Sequence, residues 1–376
     1  MTKRQRILAV LHGEIPDCVP CCPDISNMVP ARLTGLPFWD VYLFQIQPLW
    51  RAYIQAVEYF DIDGGFELYD FGPIDPLDES PPDWEERIVS RREDMIVTRK
   101  YYPAEGRWDL YAIPYSRDNP PGLLVKPSAL NLPEIPSEWE PLTGVRRWPT
   151  GMALWRQIRE ELGEHGVLGL SSGISTVILH SPEDIYSYYD DPEPWRRRAE
   201  EMVIRAEARM ERIAEINPKP DFLFCGASGT LVTQNPQILR DLVLPGLKRI
   251  TALAADMGIP THVHSCGPER ALVQMAAEET CLSIIDPLEI PPMGDCILSE
   301  LKQRFGSKIV LKGNLHTTDV MLRGSADAVR AASRRAIDQA GAGGGFILST
   351  GDQCGRDTPE ENIFAMVETA RSYGRY

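Results

Sequence analysis

The sequence predicts an α/β fold, a (β/α)8 barrel, and three observations predict it. The chain has 376 residues, which is long enough for one barrel with additions. Eight short β-rich segments recur along it, and several are apolar on both faces, as parallel strands between two layers of helix must be. Amphipathic helical segments separate most of these strands. We therefore expect residues 1–376 to form a single barrel domain with an N-terminal helix, and a doubly wound open sheet is the main alternative.

Start signals mark several helices between the candidate strands. Ser181 precedes Pro-Glu-Asp and is expected to cap one helix. Thr358 is expected to cap the last helix, with Pro359 at the first helical position and Glu361 completing a capping box. The candidate strands themselves are residues 19–25, 64–70, 167–175, 221–227, 261–267, 281–288, 307–314 and 343–351.

Residues 73–150 interrupt this alternation and contain 13 of the 32 prolines. Alternating residues over 87–103 and 107–115 predict an antiparallel hairpin within the segment. We interpret the segment as an excursion inserted after the second strand, near the barrel mouth. It either covers the C-terminal mouth, where the active sites of such barrels lie, or is a plain surface elaboration.

Composition excludes several functional classes. The net charge of −15 argues against nucleic acid or an anionic membrane as the main partner. No run approaches the ~18 apolar residues that a membrane span needs. The first residues lack a small-residue cleavage site, so we expect a cytoplasmic protein. Eight cysteines are too few for a disulfide scaffold and are expected to be core residues, metal ligands or nucleophiles.

The segment Thr-His-Val-His-Ser-Cys-Gly at 261–267 carries the sharpest chemical signal. Side chains alternate along a strand, so His264 and Cys266 should point to the same side, close enough for one metal ion to contact both. Imidazole and thiolate together are a preference of zinc. Cys354, in the loop after the last candidate strand, is the best third ligand, because all parallel strands end at one mouth. Three protein ligands and one open position are the catalytic arrangement of zinc.

Other polar residues at the ends of candidate strands are weaker candidates, and each has a structural explanation as well. The reserve metal ligands are His262, His316 and Cys225. The candidates for catalysis or for positioning a substrate are Asn314, Asp352 and Glu67.

The same residues make the sequence resemble the uroporphyrinogen decarboxylase superfamily, and within it the zinc-dependent methylcobamide:thiol methyltransferase branch. The resemblance rests on the opening RILAVLHGEIPDCVP, on DFLFCGASGT, THVHSCG and KGNLHTTDVMLRGSADAV, and on the tail GGFILSTGDQCGRDTPEENI. It implies a (β/α)8 barrel with zinc bound by His264, Cys266 and Cys354. The tail departs from the branch, which often has its cysteine closer to the glycine, whereas here Asp352 and Gln353 intervene.

The resemblance also implies a reaction, the transfer of a methyl group from a methylcorrinoid such as methylcobalamin to a zinc-activated small thiol of the coenzyme M type. No Asp-x-His-x-x-Gly sequence occurs in the chain, so the corrinoid is expected on a separate carrier protein or free. A homo-oligomer is possible. The alternatives are a metal-free decarboxylase and a non-catalytic barrel that binds corrinoid or zinc. The arginine-rich signature of the decarboxylases is missing, because residues 23–32 contain a single arginine, Arg32.

Overall fold

The computed structural model describes residues 1–66, 68, 75–77, 82–174, 179, 181–226 and 230–376. The chain folds as two units. The first contains Met1–Asp24, Val57–Gly72 and Arg159–Tyr376, and the second contains Ile25–Ala56 and Pro73–Ile158. The predicted excursion at 73–150 falls in the second unit, which also includes residues 25–56 and continues to residue 158. Its place near a barrel mouth stays a prediction.

Helices and strands alternate through the first unit, and an antiparallel sheet dominates the second. The strands of the described residues are β1 (Glu85–Arg91), β2 (Met95–Tyr102), β3 (Arg107–Ser116), β4 (Glu140–Pro141), β5 (Gly169–Ser171), β6 (Phe222–Phe224), β7 (Thr261–His264), β8 (Ile284–Asp286), β9 (Val310–Leu315) and β10 (Phe346–Thr350). The helices are α1 (Lys3–Leu11), α2 (Met28–Leu33), α3 (Phe38–Tyr42), α4 (Leu49–Phe60), α5 (Gly151–Leu162), α6 (Pro182–Asp190), α7 (Glu193–Ile213), α8 (Thr230–Thr233), α9 (Pro236–Leu242), α10 (Leu244–Asp256), α11 (Arg270–Glu279), α12 (Leu298–Phe305), α13 (Ala326–Ala340) and α14 (Glu360–Tyr373).

A parallel sheet of six strands, in the order β10-β9-β8-β7-β6-β5, organises the first unit. All residues of β9 and β10 are buried, which matches their nearly continuous apolar sequence. Each strand pairs with the next one in chain order, as helix crossovers require. Because neighbouring strands are parallel, their carboxyl ends lie at the same edge of the sheet.

Two further predicted strands form short parallel bridges rather than regular strands. The Cys22 amide donates to the Leu348 carbonyl at 2.9 Å, and Cys21 forms a parallel bridge with Leu348. The Asp63 amide donates to the Cys21 carbonyl at 2.8 Å, and Gly64 forms a parallel bridge with Gly166. The segments predicted at 19–25 and 64–70 therefore supply backbone hydrogen bonds at the two ends of the six-stranded sheet.

The core of the first unit lies between the sheet and α1. Ile7, Val10 and Leu11 of this helix pack with apolar side chains from the sheet, including Phe222 and Ile347. Burying each such side chain stabilises the fold by roughly 1.5–3 kcal/mol. Thr2 and Gln5 form a capping box that fixes where α1 begins.

The helix start signals are reproduced in one case and displaced in the other. Ser181 caps α6, and its side chain accepts from the Asp184 amide at 3.1 Å. The last helix, α14, begins at Glu360 rather than at Pro359, and Pro359 is its N-cap instead of Thr358. The expected start is one residue early because Pro359 has an extended ψ of 135°.

The second unit contains a four-stranded antiparallel sheet in the order β3-β2-β1-β4. The predicted hairpin is confirmed, since β1 pairs with β2 and β2 pairs with β3. Buried side chains behind it form a separate cluster of Leu43, Ile88, Ile96 and Tyr115. Across the described part of both units, no helix has the length and apolar character that crossing a bilayer requires.

Candidate metal centre

Three side chains meet beyond the carboxyl ends of the parallel strands. The His264 Nε2 atom lies 3.2 Å from Cys266 Sγ, and Cys266 Sγ lies 3.2 Å from Asp352 Oδ2. The ligand atoms of the three residues all lie within 4.8 Å of one another, the only such group of histidine, cysteine and acidic side chains among the described residues. His264 and Cys266 lie side by side because they alternate past the end of β7, and Gly267 turns the chain with a φ of 87°.

Asp286 at the end of β8 holds His264 in place. Its carboxylate accepts from His264 Nδ1 at 3.0 Å, from His262 Nε2 at 2.7 Å and from Lys312 Nζ. The carboxylate fixes the proton on Nδ1 of His264, so Nε2 is directed at Cys266. This is the usual arrangement behind a metal-binding histidine, in which a carboxylate sets the tautomer and the ring orientation.

The electrostatics of this group are set by burial and by Asp286. Burial raises the pKa of Asp286, but the charges of Lys312, His262 and His264 outweigh it and hold that pKa well below its usual range. Burial opposes protonation of His264, yet Asp286 and Cys266 together raise the pKa of its imidazole well above the ordinary value. Lys312, only 1% exposed, forms a buried ion pair with Asp286, so the Asp286 charge is balanced within the protein.

Asp352 stands where the sequence had suggested Cys354. Its backbone φ is 148°, in the region that favours glycine, and such conformations cluster at functional sites. The preceding residue is anchored, because the Gly351 amide donates to the Leu315 carbonyl at 2.7 Å. The sequence makes Asp352 a candidate for catalysis or for positioning a substrate, and the structure brings its carboxylate into contact with Cys266.

Cys354 lies outside the group. It is 0% exposed, and its amide donates to the Asp24 carbonyl at 2.8 Å. Burial raises the pKa of its thiol, which the hydroxyls of Thr350 and Thr358 offset only in part. The third ligand expected from the family pattern is therefore not among the side chains that the structure groups with His264 and Cys266.

The reserve ligands have other contacts. His262 is surrounded by the rings of Phe66, Phe222 and Phe224 at 5.5–5.8 Å, one layer deeper than His264. Burial lowers its pKa despite the hydrogen bond to Asp286. Cys225 is buried, its thiol donates to the Leu223 carbonyl at 3.7 Å, and burial raises its pKa to about 12. Neither belongs to the group around Cys266.

Asn314 lies near the carboxyl end of β9, and His316 directly follows that strand. The His316 Nδ1 atom accepts from the Thr318 and Asp319 amides at 3.2 and 3.0 Å, so the ring caps the helical turn that follows. Asn314 donates to the Leu288 carbonyl at 3.1 Å. Both line a cavity of about 300 Å³. Glu67, the remaining candidate, falls outside the described residues.

Sequence reasoning missed three charged residues that support the site. Asp286 and Lys312 form a buried ion pair inside apolar strands, and Glu289 accepts from the Gly267 amide. Burial raises the pKa of Glu289, and the nearby Asp352 adds to the effect while the Gly267 hydrogen bond opposes it. The sequence signal that could have identified Asp286 and Lys312 is a charged residue within an otherwise apolar strand, because a buried charge requires a partner.

Comparisons with known proteins agree with this fold. Residues 224–373 match the family model described as uroporphyrinogen decarboxylase (URO-D). A methyltransferase from Methanosarcina mazei superposes with a TM-score of 0.58 and 16% identity, covering 99% of both chains. The match to a DUF72 family protein from Enterococcus faecalis, also 16% identical, covers 58% of this chain and 83% of that protein. Its TM-score of 0.30 is too low to indicate a shared fold. No curated protein sequence matches the chain.

Proposed function

We propose that the chain is a member of the uroporphyrinogen decarboxylase superfamily, whose model matches residues 224–373. Within that superfamily we propose that it is a zinc-dependent methyltransferase that moves a methyl group from a methylated corrinoid to a small thiol. The observation that carries the proposal is the contact group of His264, Cys266 and Asp352 backed by Asp286. The Methanosarcina mazei protein that shares the fold is named a methyltransferase, which supports the reaction class.

The donor set fits zinc. Nitrogen, thiolate sulfur and carboxylate oxygen are the three ligand types that protein zinc sites use. Asp286 and Lys312 neutralise each other. Because zinc takes cysteine as the thiolate, Cys266 and Asp352 would supply two negative charges to a divalent ion. Three protein ligands leave a position for a substrate, as in catalytic rather than structural sites. When bound, zinc supplies a Lewis acid that favours the thiolate form of a substrate thiol near neutral pH.

Residues of the chain itself orient the proposed metal ligands and keep water away from them. Asp286 holds His264 in one tautomer, and the anchored Gly351 turns the Asp352 carboxylate toward Cys266. Burial of Lys312 and His262 beneath the group keeps water from its inner side. The corrinoid carries the reactive methyl group, and the protein's contribution is to orient the acceptor thiol toward it. We propose that the corrinoid arrives on a carrier protein or free, and that the acceptor resembles coenzyme M.

We also propose that the first unit is a complete (β/α)8 barrel. The backbone bridges at Cys21 and Gly64 extend the six parallel strands to eight, and the hydrogen bond between Asp63 and Cys21 joins the two added segments. Such closure would bring His264, Cys266 and Asp352 to the mouth where barrel enzymes have their active sites.

The first test is metal content, measured by mass spectrometry on protein prepared without chelators. We expect about one zinc per chain in the parent, and a zinc affinity at least ~10-fold weaker in Cys266→Ala and in Asp352→Ala. Cys225→Ala, which removes a buried cysteine elsewhere, is the matched control and should retain zinc. Loss of zinc in Cys354→Ala but not in Asp352→Ala would reassign the third ligand.

The second test is turnover, followed by the change in methylcobalamin absorbance on addition of small thiols. Demethylation that requires zinc and Cys266 supports the proposal. A zinc-free parent protein would overturn it and favour a metal-free decarboxylase. Zinc without any thiol-dependent demethylation, with free or carrier-bound corrinoid, would favour a non-catalytic binding barrel.

A further inference from the structure

The second unit contains a cavity that the proposed methyl transfer does not use. Its volume is about 820 Å³, and it is lined by β1, β2, β3 and the segment between β3 and β4. All of its lining residues belong to the second unit, so it is distinct from the metal centre. Pockets of roughly 300–1,000 Å³ are those that hold small organic ligands.

Basic side chains are prominent in the lining of the cavity. Arg87, Arg99, Arg107 and Lys126 line it, together with the acidic side chains Asp109 and Glu134. Arg87 and Arg107 pair with Glu85 and Glu105 outside the lining, so Arg99 and Lys126 are the cations left for a ligand. This basic lining contrasts with the net charge of −15 of the whole chain. Residues 25–56 and 73–158 hold 13 lysines and arginines and 15 acidic residues, so the second unit contributes only −2 of that charge.

Arg99 is the basic side chain of the cavity that is held in one position. Its side chain is 4% exposed and donates to the Glu134 carbonyl at 2.7 Å and to the Asp109 carbonyl. Within the described ranges it forms no ion pair, and its buried Nε atom has no hydrogen-bond partner. Burial lowers the pKa of Arg99, and the charges of nearby Asp109 and Glu134 oppose this without forming an ion pair with it. A buried guanidinium whose hydrogen bonds go to carbonyl groups favours an anion in the adjoining cavity.

Aromatic side chains supply flat walls. The Arg87 guanidinium lies 3.8 Å from the ring of Tyr101 and 3.8 Å from the ring of Trp139, and this stack is rigid. Trp108 packs against Tyr101 with ring centroids 5.0 Å apart. At the rim, Leu110 and Ile135 are 75% and 76% exposed, and exposed apolar groups around a polar cavity indicate a contact surface.

We propose that this cavity binds a small planar anion, namely an aromatic carboxylate, sulfonate or phosphate ester. The aromatic walls match the face of a ring system, and Arg99 and Lys126 match its charged group. Lys126 is exposed, forms no ion pair within the described chain, and is positioned by the backbone pairing of Val125 with Ala112. The site is independent of the proposed methyl transfer and of zinc.

The test uses anilinonaphthalene sulfonate, an aromatic anion whose fluorescence rises on binding, and N-phenylnaphthylamine, its uncharged analogue. We expect one sulfonate per chain, with excitation transfer from the cavity tryptophans, and at least tenfold weaker binding of the uncharged analogue. Lys126→Met should weaken sulfonate binding about tenfold, and Lys126→Arg should restore it. Lys100→Met is the matched control, because Lys100 lies on β2 against Trp84 and outside the cavity.

Several results would overturn the proposal. These are no binding to the parent protein, equal affinity for the charged and uncharged probes, or an equal loss in Lys100→Met and Lys126→Met. Trp139→Ala is a second test variant, since Trp139 is 44% exposed and lies outside the strands, and circular dichroism checks that the variant is folded. Sulfonate binding that survives both Lys126→Met and Trp139→Ala would place the probe elsewhere on the molecule.

Discussion

Replacing Asp286 with asparagine tests the support of the metal centre, because two separate effects should follow from one change. The Asp286 carboxylate is 2% exposed and accepts from His262, His264 and Lys312. In Asp286→Asn the charge that balances Lys312 is lost inside the protein. Breaking a buried ion pair from one side costs about 3–5 kcal/mol, so we expect the zinc-free variant to lose that much unfolding free energy.

The second effect is on metal binding. Without the carboxylate, the proton of His264 is no longer fixed on Nδ1, and an asparagine amide can donate to the same atom. Loss of a group that orients a metal ligand typically lowers metal affinity by roughly 10- to 100-fold. We expect this loss in zinc affinity for Asp286→Asn, measured by competition with a chromophoric chelator, while urea unfolding of the zinc-free protein reports stability.

A double variant separates the two effects. Adding Lys312→Met to Asp286→Asn removes the stranded charge, so stability should recover by at least about 1–2 kcal/mol while zinc affinity stays low. Asp327→Asn, on a residue whose side chain is 93% exposed, is the control and should change stability by at most about 1 kcal/mol. If the double variant is no more stable than Asp286→Asn, the unpaired charge of Lys312 is not the cause of the lost stability. If zinc affinity is unchanged in Asp286→Asn, Asp286 does not orient His264 for metal binding.

Two predictions concern the buried ion cluster of the first unit. Asp63, 0% exposed, accepts from Arg6 and from Arg371, so Asp63→Asn should destabilise the protein by about 3–5 kcal/mol in urea unfolding. Asp61→Asn, at a side chain 67% exposed that pairs with Lys3, should cost less than about 1 kcal/mol, and equal losses would contradict this account. The hydrogen bond from Arg6 is the main cause that holds the pKa of Asp17 below its ordinary value. The pair therefore stabilises the fold fully at pH values above the unfolded-state pKa of about 3.9. This stabilisation is lost as the pH falls through the lower folded-state pKa. The urea midpoint of Asp17→Asn should therefore fall less than that of the parent between about pH 5 and about pH 2, and parallel pH profiles would exclude the linkage.

Apolar periodicity predicted the parallel sheet because its strands are buried on both faces. β7 and β10 lie within the segments predicted at 261–267 and 343–351. The segments at 19–25 and 64–70 have similar composition, yet their described residues form isolated bridges at Cys21 and Gly64. Composition does not report how many hydrogen bonds a segment makes. Nor does it show that residues 25–56 join residues 73–158 in one unit, since that depends on long-range contacts.

At the site, alternation along a strand placed His264 beside Cys266, but no local pattern chose between Asp352 and Cys354. Both follow β10 within four residues. The choice depends on the backbone, where Gly351 is tied to Leu315 and Asp352 adopts a φ of 148°. Such a conformation for a non-glycine residue comes from its surroundings and leaves no signature in the sequence itself.

Net charge was an equally incomplete guide to ligands, because it averages over two units of different character. A total of −15 argues against an extended polyanion as the main partner. It says nothing about a cavity in the second unit, where Arg99 and Lys126 face aromatic walls and residues 25–56 and 73–158 sum to only −2. In the first unit Lys312 neutralises the buried Asp286, while Cys266 and Asp352 lie in contact and half-buried beside them. Local pairing, and not net charge, is therefore the basis on which we propose a cation in the first unit and an anion in the cavity of the second.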